Sequence, residues 1–219
     1  SEEQAQKAVS EFNNLLKIIE YFPVPVISLI RERALGGGYE LALACDWIIA
    51  EKGSVVGLPE VPLGIMPGAG GTHRLPRRAG KALAVNLILS GKPQKAEPPL
   101  VDFVLSTDEM KPEFLKLLFE NDNQLGKNTK RLPLKEGIRS KVSLFGKIKK
   151  IHAGWKMAGH IPPKSFILAS EAIINGNKKI LDDGLDDERA AIFEAFRSQD
   201  AEEGIRAFLE KRKPVFTGR

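Results

Sequence analysis

The sequence predicts an α/β fold that gives way to a helical C-terminal region, and three observations carry that expectation. Two short apolar runs, residues 24–30 and 46–50, read as strands. Between them, residues 34–46 place a cluster of glycines at the start of a helix. Alternation of strand and helix makes the two strands parallel neighbours. Further on, residues 142–151, 163–174 and 180–196 repeat apolar side chains at helical spacing. The 219 residues are enough for one main domain, read as 1–120, with a helical part over 121–219.

Taken in order, residues 1–21 form an amphipathic helix. Pro23 and Pro25 flank the entry to the first strand. Gly36, Gly37 and Gly38 then lie directly before a helix whose first turn carries a lone carboxylate, Glu40. Lacking Cβ atoms, these glycines let another group approach the backbone, and free N–H groups at a helix start favour negative charge. A developing oxyanion suits such a place. After the strand at 46–50, a loop rich in Gly and Pro carries a second carboxylate, Glu60, twenty residues beyond Glu40. The run from Gly68 to Thr72 lacks both the dinucleotide fingerprint and the phosphate-loop Lys, so it reads as a turn and a helix start. Residues 121–133 form a polar linker, and helices follow.

Composition narrows the class. Hydrophobic residues make up 42% and charged residues 28%, as in a soluble globular protein. The single cysteine, Cys45, excludes an intrachain disulfide and sits at an apolar helix end, where a core role is expected. His73, His152 and His160 are not at metal-ligand spacing, so no metal is expected. The most apolar stretch, 24–30, is far too short to span a membrane. Net charge is +5, and residues 127–156 hold ten basic side chains against the single acid Glu136. That run reads as a solvated helix face, as an attractor for phosphates, or as an RNA-binding stretch. Only Phe145 and Trp155 supply aromatics there, which argues against nucleic acid as a partner.

Two long patterns in order, Ala34-Leu35-Gly36-Gly37-Gly38-Tyr39-Glu40-Leu41 through Cys45-Asp46 and then Gly57 through Leu75, resemble the enoyl-CoA hydratase/isomerase (crotonase) superfamily. The stretch 198–217 resembles the C-terminal helix of that family, and residues 121–197 resemble, more loosely, the hydratase portion of multifunctional fatty-acid oxidation proteins. The resemblance implies a crotonase (ClpP-like) spiral of stacked strand-strand-helix turns through about residue 105, then helices. It also implies an enoyl-CoA hydratase, a hydro-lyase adding water reversibly to a 2-enoyl-CoA. Gly37 then supplies half of an oxyanion hole for the thioester, Glu40 chiefly activates water, and Glu60 chiefly transfers the proton at C2. Phe208 and Lys211 match positions at the nucleotide end of coenzyme A.

From the same resemblance come a homotrimer or homohexamer, no cofactor beyond the coenzyme A of the substrate, and a cytoplasmic or organellar-matrix location in fatty-acid metabolism such as β-oxidation. Double-bond isomerisation is the sister reaction. Non-catalytic acyl-CoA or RNA binding on the same scaffold is the alternative from another class. Three departures stand out. Glu32 occupies the customary glycine before the oxyanion loop, where a positive φ would strain it. Residues 97–102 abbreviate a helical turn. The family's upstream Ala-x-Gly-x-Asp loop, source of the second oxyanion donor, has no match in residues 1–21, so the N-terminal part of the fold is expected to be missing.

Overall fold

A computed structural model describes residues 2–112, 148, 150–154, 163–176 and 181–219. Helix α1 spans Glu2–Glu20 and strand β1 spans Ile27–Ile30. The strand begins two residues after Pro25, since proline has no N–H to donate to a ladder. Next come β2 (Arg33–Leu35), α2 (Gly37–Ala44), β3 (Trp47–Glu51) and β4 (Val55–Gly57). A 3₁₀ turn at Val61–Leu63 leads to α3 (Gly71–Ala79) and α4 (Lys81–Ser90), then β5 (Gln94–Lys95) and β6 (Phe103–Leu105). Three helices close the described chain: α5 (Lys164–Gly176), α6 (Leu181–Phe196) and α7 (Gln199–Leu209).

The strands form two small three-stranded sheets, β1-β3-β6 and β2-β4-β5. β1 pairs in parallel with β3, Ile27 opposite Trp47 and Ile30 opposite Ala50, as the alternating pattern predicts. β2 likewise runs parallel to β4, whereas β4 and β5 are antiparallel. Successive strand pairs feed the two sheets in turn, so each strand-strand-helix unit stacks on the one before it. The abbreviated segment before β6 still reaches its place. Asp102 accepts the Ile48 N–H at 2.7 Å and pairs with Arg78, and the Tyr39 hydroxyl donates to Leu100 O at 2.8 Å.

Glu32 adopts φ 58°, so the side chain that replaces the customary glycine does lie in the left-handed region. The glycine cluster differs from the expectation in one respect. Gly36 caps α2 with φ 55°, and Gly37 and Gly38 are the helix's first two residues rather than preceding it. A turn that needs positive φ at only one glycine leaves the next two free to enter the helix.

Ile48, Leu58, Leu75, Leu87 and Ile88 have no solvent contact and build one core between the sheets and α3–α4. Burying each such side chain contributes about 1.5–3 kcal/mol. Phe166 and Ile173 of α5 and Ile192 of α6 belong to the same cluster, so the C-terminal helices lie on α3 and α4. α7 rests on the 3₁₀ turn, where Gly204 leaves room for the backbone of Leu63. Most of the basic run and the linker at 121–133 fall outside the described residues.

Candidate active site

The register of β2 with β4, Leu35 opposite Gly57, places the start of α2 beside the loop after β4, and this juxtaposition brings two distant carboxyls together. Glu40, in the first turn of α2, is 3% exposed. Its Oε1 accepts the backbone N–H of Ala69 at 2.9 Å and of Gly71 at 2.8 Å. Glu60 immediately precedes the 3₁₀ turn. It is half-buried as a residue, yet its Oε2 is shut off from solvent with no hydrogen-bond partner. Its Oε1 lies against Gly36, at the cap of the same helix that carries Glu40.

A third carboxylate joins them. Glu188 of α6 is 1% exposed; its Oε1 accepts the Gly70 N–H at 2.5 Å, and its Oε2 accepts the Thr72 N–H at 2.9 Å and the Thr72 hydroxyl. Glu188 was not singled out from sequence, where it lies in an acidic helical run, Asp182 to Glu188. The available signal was its spacing from Gly184 and Leu185, which puts it on the buried side of α6.

Burial pushes Glu60 well above the ordinary carboxylate range, and the neighbouring charges of Glu40 and Glu188 push the same way. Glu40 is raised by burial too, against the opposing effect of its amide bonds to Ala69 and Gly71 and of Arg74. Glu188 is pushed up to about 8, by burial first and by Glu40 second. Three carboxyls that feel one another in a dry site titrate as a set, and they carry fewer charges than carboxyls. One of them is thereby kept protonated where an isolated glutamate has ionised, which suits a proton donor beside a proton acceptor.

The backbone between these carboxyls is tied down from several elements. Asn13 of α1 donates to Gly68 O at 2.7 Å, and Arg74 donates to Ala69 O at 2.5 Å while pairing with Glu20 at 2.8 Å. Arg74 and Glu20 keep only 4% and 3% of their side-chain surface in solvent. Gly37, at the first position of α2, has an N–H with no partner inside the helix. Phe12 of α1 faces it, with Cε1 3.3 Å from where a Cβ would stand.

Of the residues singled out from sequence, the fold thus gathers Gly37, Glu40 and Glu60 around the start of α2. Phe208 and Lys211 stand outside this buried group, at the exposed C-terminal end of α7. Phe208 is 66% exposed, and Lys211 has φ 54°. Cys45 is buried at the end of α2, with its thiol pushed up to about 11 by burial, so it is no thiolate at neutral pH. Among the described residues no three His, Cys, Asp or Glu side chains are grouped to hold a metal ion, and no helix is long and apolar enough to cross a membrane.

The stacked strand-strand-helix turns are those of the crotonase superfamily, and this chain belongs to it: the enoyl-CoA hydratase/isomerase family model matches residues 1–164. Among its relatives, a probable enoyl-CoA hydratase of Bacillus subtilis (strain 168) is 35% identical over 204 residues, covering 93% of this chain and 67% of that protein. The 2,3-dehydroadipyl-CoA hydratase of Escherichia coli (strain K12) is 35% identical over 205 residues, covering 92% and 66%. A crystal structure of an enoyl-CoA hydratase from Mycobacterium avium subsp. paratuberculosis K-10 superimposes with TM-score 0.63 at 24% identity, covering 96% of this chain and 72% of that one, and shows the fold alone. The chain spans about two thirds of the length of these curated relatives.

Proposed function

We propose that the chain hydrates a 2-enoyl-CoA to a 3-hydroxyacyl-CoA, reversibly, with Glu40 and Glu60 as its acid–base pair. The observation that carries the reading is the pairing itself: two glutamates of one buried set, Glu60 feeling the charge of Glu40 and keeping one oxygen free of any partner. Both amide bonds recorded for Glu40 fall on Oε1, which leaves Oε2 to orient and deprotonate a water. Glu60, held protonated by burial and by its neighbours' charge, gives its proton to C2 as the water oxygen bonds C3. The enolate oxygen that forms in between is received by the Gly37 N–H at the positive end of α2.

A carboxylate at each position favours hydration over double-bond isomerisation, which needs one group to move one proton. Coenzyme A enters as part of the substrate, and no further cofactor takes part. Its phosphates are assigned to Lys211 and its apolar flank to Phe208, in an assembly of three or six copies. The test is a direct one. Incubation with a short-chain 2-enoyl-CoA should bleach the conjugated thioester absorbance and yield the 3-hydroxy product. A chain that binds the thioester and leaves it unchanged would move the reading to non-catalytic acyl-CoA binding.

A further inference from the structure

Four consecutive backbone N–H groups lead into α3, and they are dealt alternately to two carboxylates. Ala69 and Gly71 donate to Glu40, whereas Gly70 and Thr72 donate to Glu188. A helix start leaves such donors without intrahelical acceptors, so each needs one from elsewhere. Here the acceptors come from helices on opposite sides of the turn, α2 and α6. Successive peptide planes are hinged at shared Cα atoms, so freeing the amides held by one carboxylate loosens the aim of those held by the other.

We infer that Glu188 is a positioning residue for Glu40: its grip on Gly70 and Thr72 keeps the amides of Ala69 and Gly71 aimed at Glu40 Oε1. Glu188 touches no reacting atom in this scheme. It acts through the backbone, and at 1% exposure it has no bulk solvent beside it to share the acceptor role. The side chain is also well placed to hold the turn against motion, since the Thr72 hydroxyl adds a third bond to the same carboxyl. This inference rests on the hydration reading for its consequence in catalysis and on geometry alone for its effect on Glu40.

Its experimental signature lies in the proton affinity of Glu40. Charged and titratable groups around Glu188 are Glu40 of α2, Glu60 of the preceding loop, Arg74 and His73 of α3, and Glu20 of α1 behind Arg74. The two amide bonds hold the Glu40 pKa down against burial. If loss of Glu188 lets those amides turn away, Glu40 binds its proton more tightly. If Glu188 acts merely as a neighbouring negative charge, its removal does the opposite.

The experiment compares wild type, Glu188→Gln and Thr72→Val in two readouts. One is the pH dependence of kcat for a short-chain 2-enoyl-CoA; the other is a carbon-13 NMR titration of labelled glutamate carboxyls without substrate, with Glu40 assigned by the Glu40→Gln spectrum. For Glu188→Gln, both the acid limb and the Glu40 titration should move up by about one pH unit. kcat at neutral pH should fall at least about tenfold with KM little changed. Thr72→Val should give a smaller shift in the same direction, and it carries the test alone if Glu188→Gln does not fold. An unmoved titration would leave Glu188 a structural brace only, and a downward shift would make it a charge only; either overturns the inference. A wild type that hydrates nothing, with a Glu40 titration that still moves up in the variants, would sink the proposed function and leave this inference standing.

Discussion

The Cβ that Gly36 lacks would stand 2.8 Å from Oε1 of Glu60. The glycine that caps α2 therefore does two things, since it takes φ 55° and leaves space for the second carboxyl of the pair. Gly36→Ala is expected to strain the cap by roughly 1 kcal/mol and to push the Glu60 carboxyl aside. Hydration should fall by a larger factor than that loss of stability explains. Parallel measurement of thermal unfolding and kcat/KM checks it, and full activity in a folded variant would show that Glu60 does not work from this position.

Glu40→Gln and Glu60→Gln keep the shape of each side chain and remove a proton acceptor or donor. Each should stay folded and lose about 10²- to 10⁴-fold in kcat for hydration. Because the two groups act on one water and one double bond, the double variant should lose little more than the worse single one. Steady-state rates on one enoyl-CoA substrate decide this, and retained hydration by either single variant removes that residue from the mechanism.

Glu32, at φ 58°, pays a conformational cost that a glycine would not. Glu32→Gly should raise stability by about 0.5–1 kcal/mol, the relief of left-handed strain outweighing the greater freedom gained by the unfolded chain. Chemical denaturation measures it. A less stable variant would show that the Glu32 side chain makes up for its own backbone strain.

The raised proton affinity of Glu188 has a signed consequence for stability. Its pKa rises from an ordinary 4.5 to about 8 on folding, so the native state holds the proton more tightly than the unfolded chain. The stabilisation linked to that proton is complete below about pH 4.5 and is lost as pH climbs to about 8. Wild type should therefore lose stability across that window more steeply than Glu188→Gln, in which the group no longer titrates. Unfolding midpoints measured at several pH values in constant salt test it, and parallel slopes would refute the assignment.

Lys211 follows the exposed end of α7, its backbone N–H donated to Phe208 O at 3.2 Å, and its proposed partner is a phosphate of coenzyme A. Lys211→Ala should weaken acyl-CoA binding at low salt, with the difference shrinking as salt screens the pair. Titration calorimetry at two ionic strengths is sufficient. Equal affinity at low salt would take Lys211 out of the binding site.

Much of this molecule is written in local patterns. The parallel pairing of β1 with β3, the glycine-capped α2 with Glu40 in its first turn, and the helices at 164–176 and 181–196 follow from periodicity and turn chemistry, which act over a few residues. The two carboxylates Glu40 and Glu60 were legible for the same reason, since each sits inside a motif whose glycines and prolines fix the backbone around it. Glu188 was not. It is separated from Gly70 by 118 positions, and its spacing from Gly184 and Leu185 marks one face of α6 without telling what that face packs against. Only packing of α6 on α3 decides that, by placing one carboxyl where unpaired amides need an acceptor and water cannot reach. At Glu32 the pattern raises a positive φ only as a condition, and the folded backbone meets it with φ 58°. The elevated proton affinities of the three glutamates required the folded chain, because desolvation and like-charge repulsion exist only after the groups have been buried together.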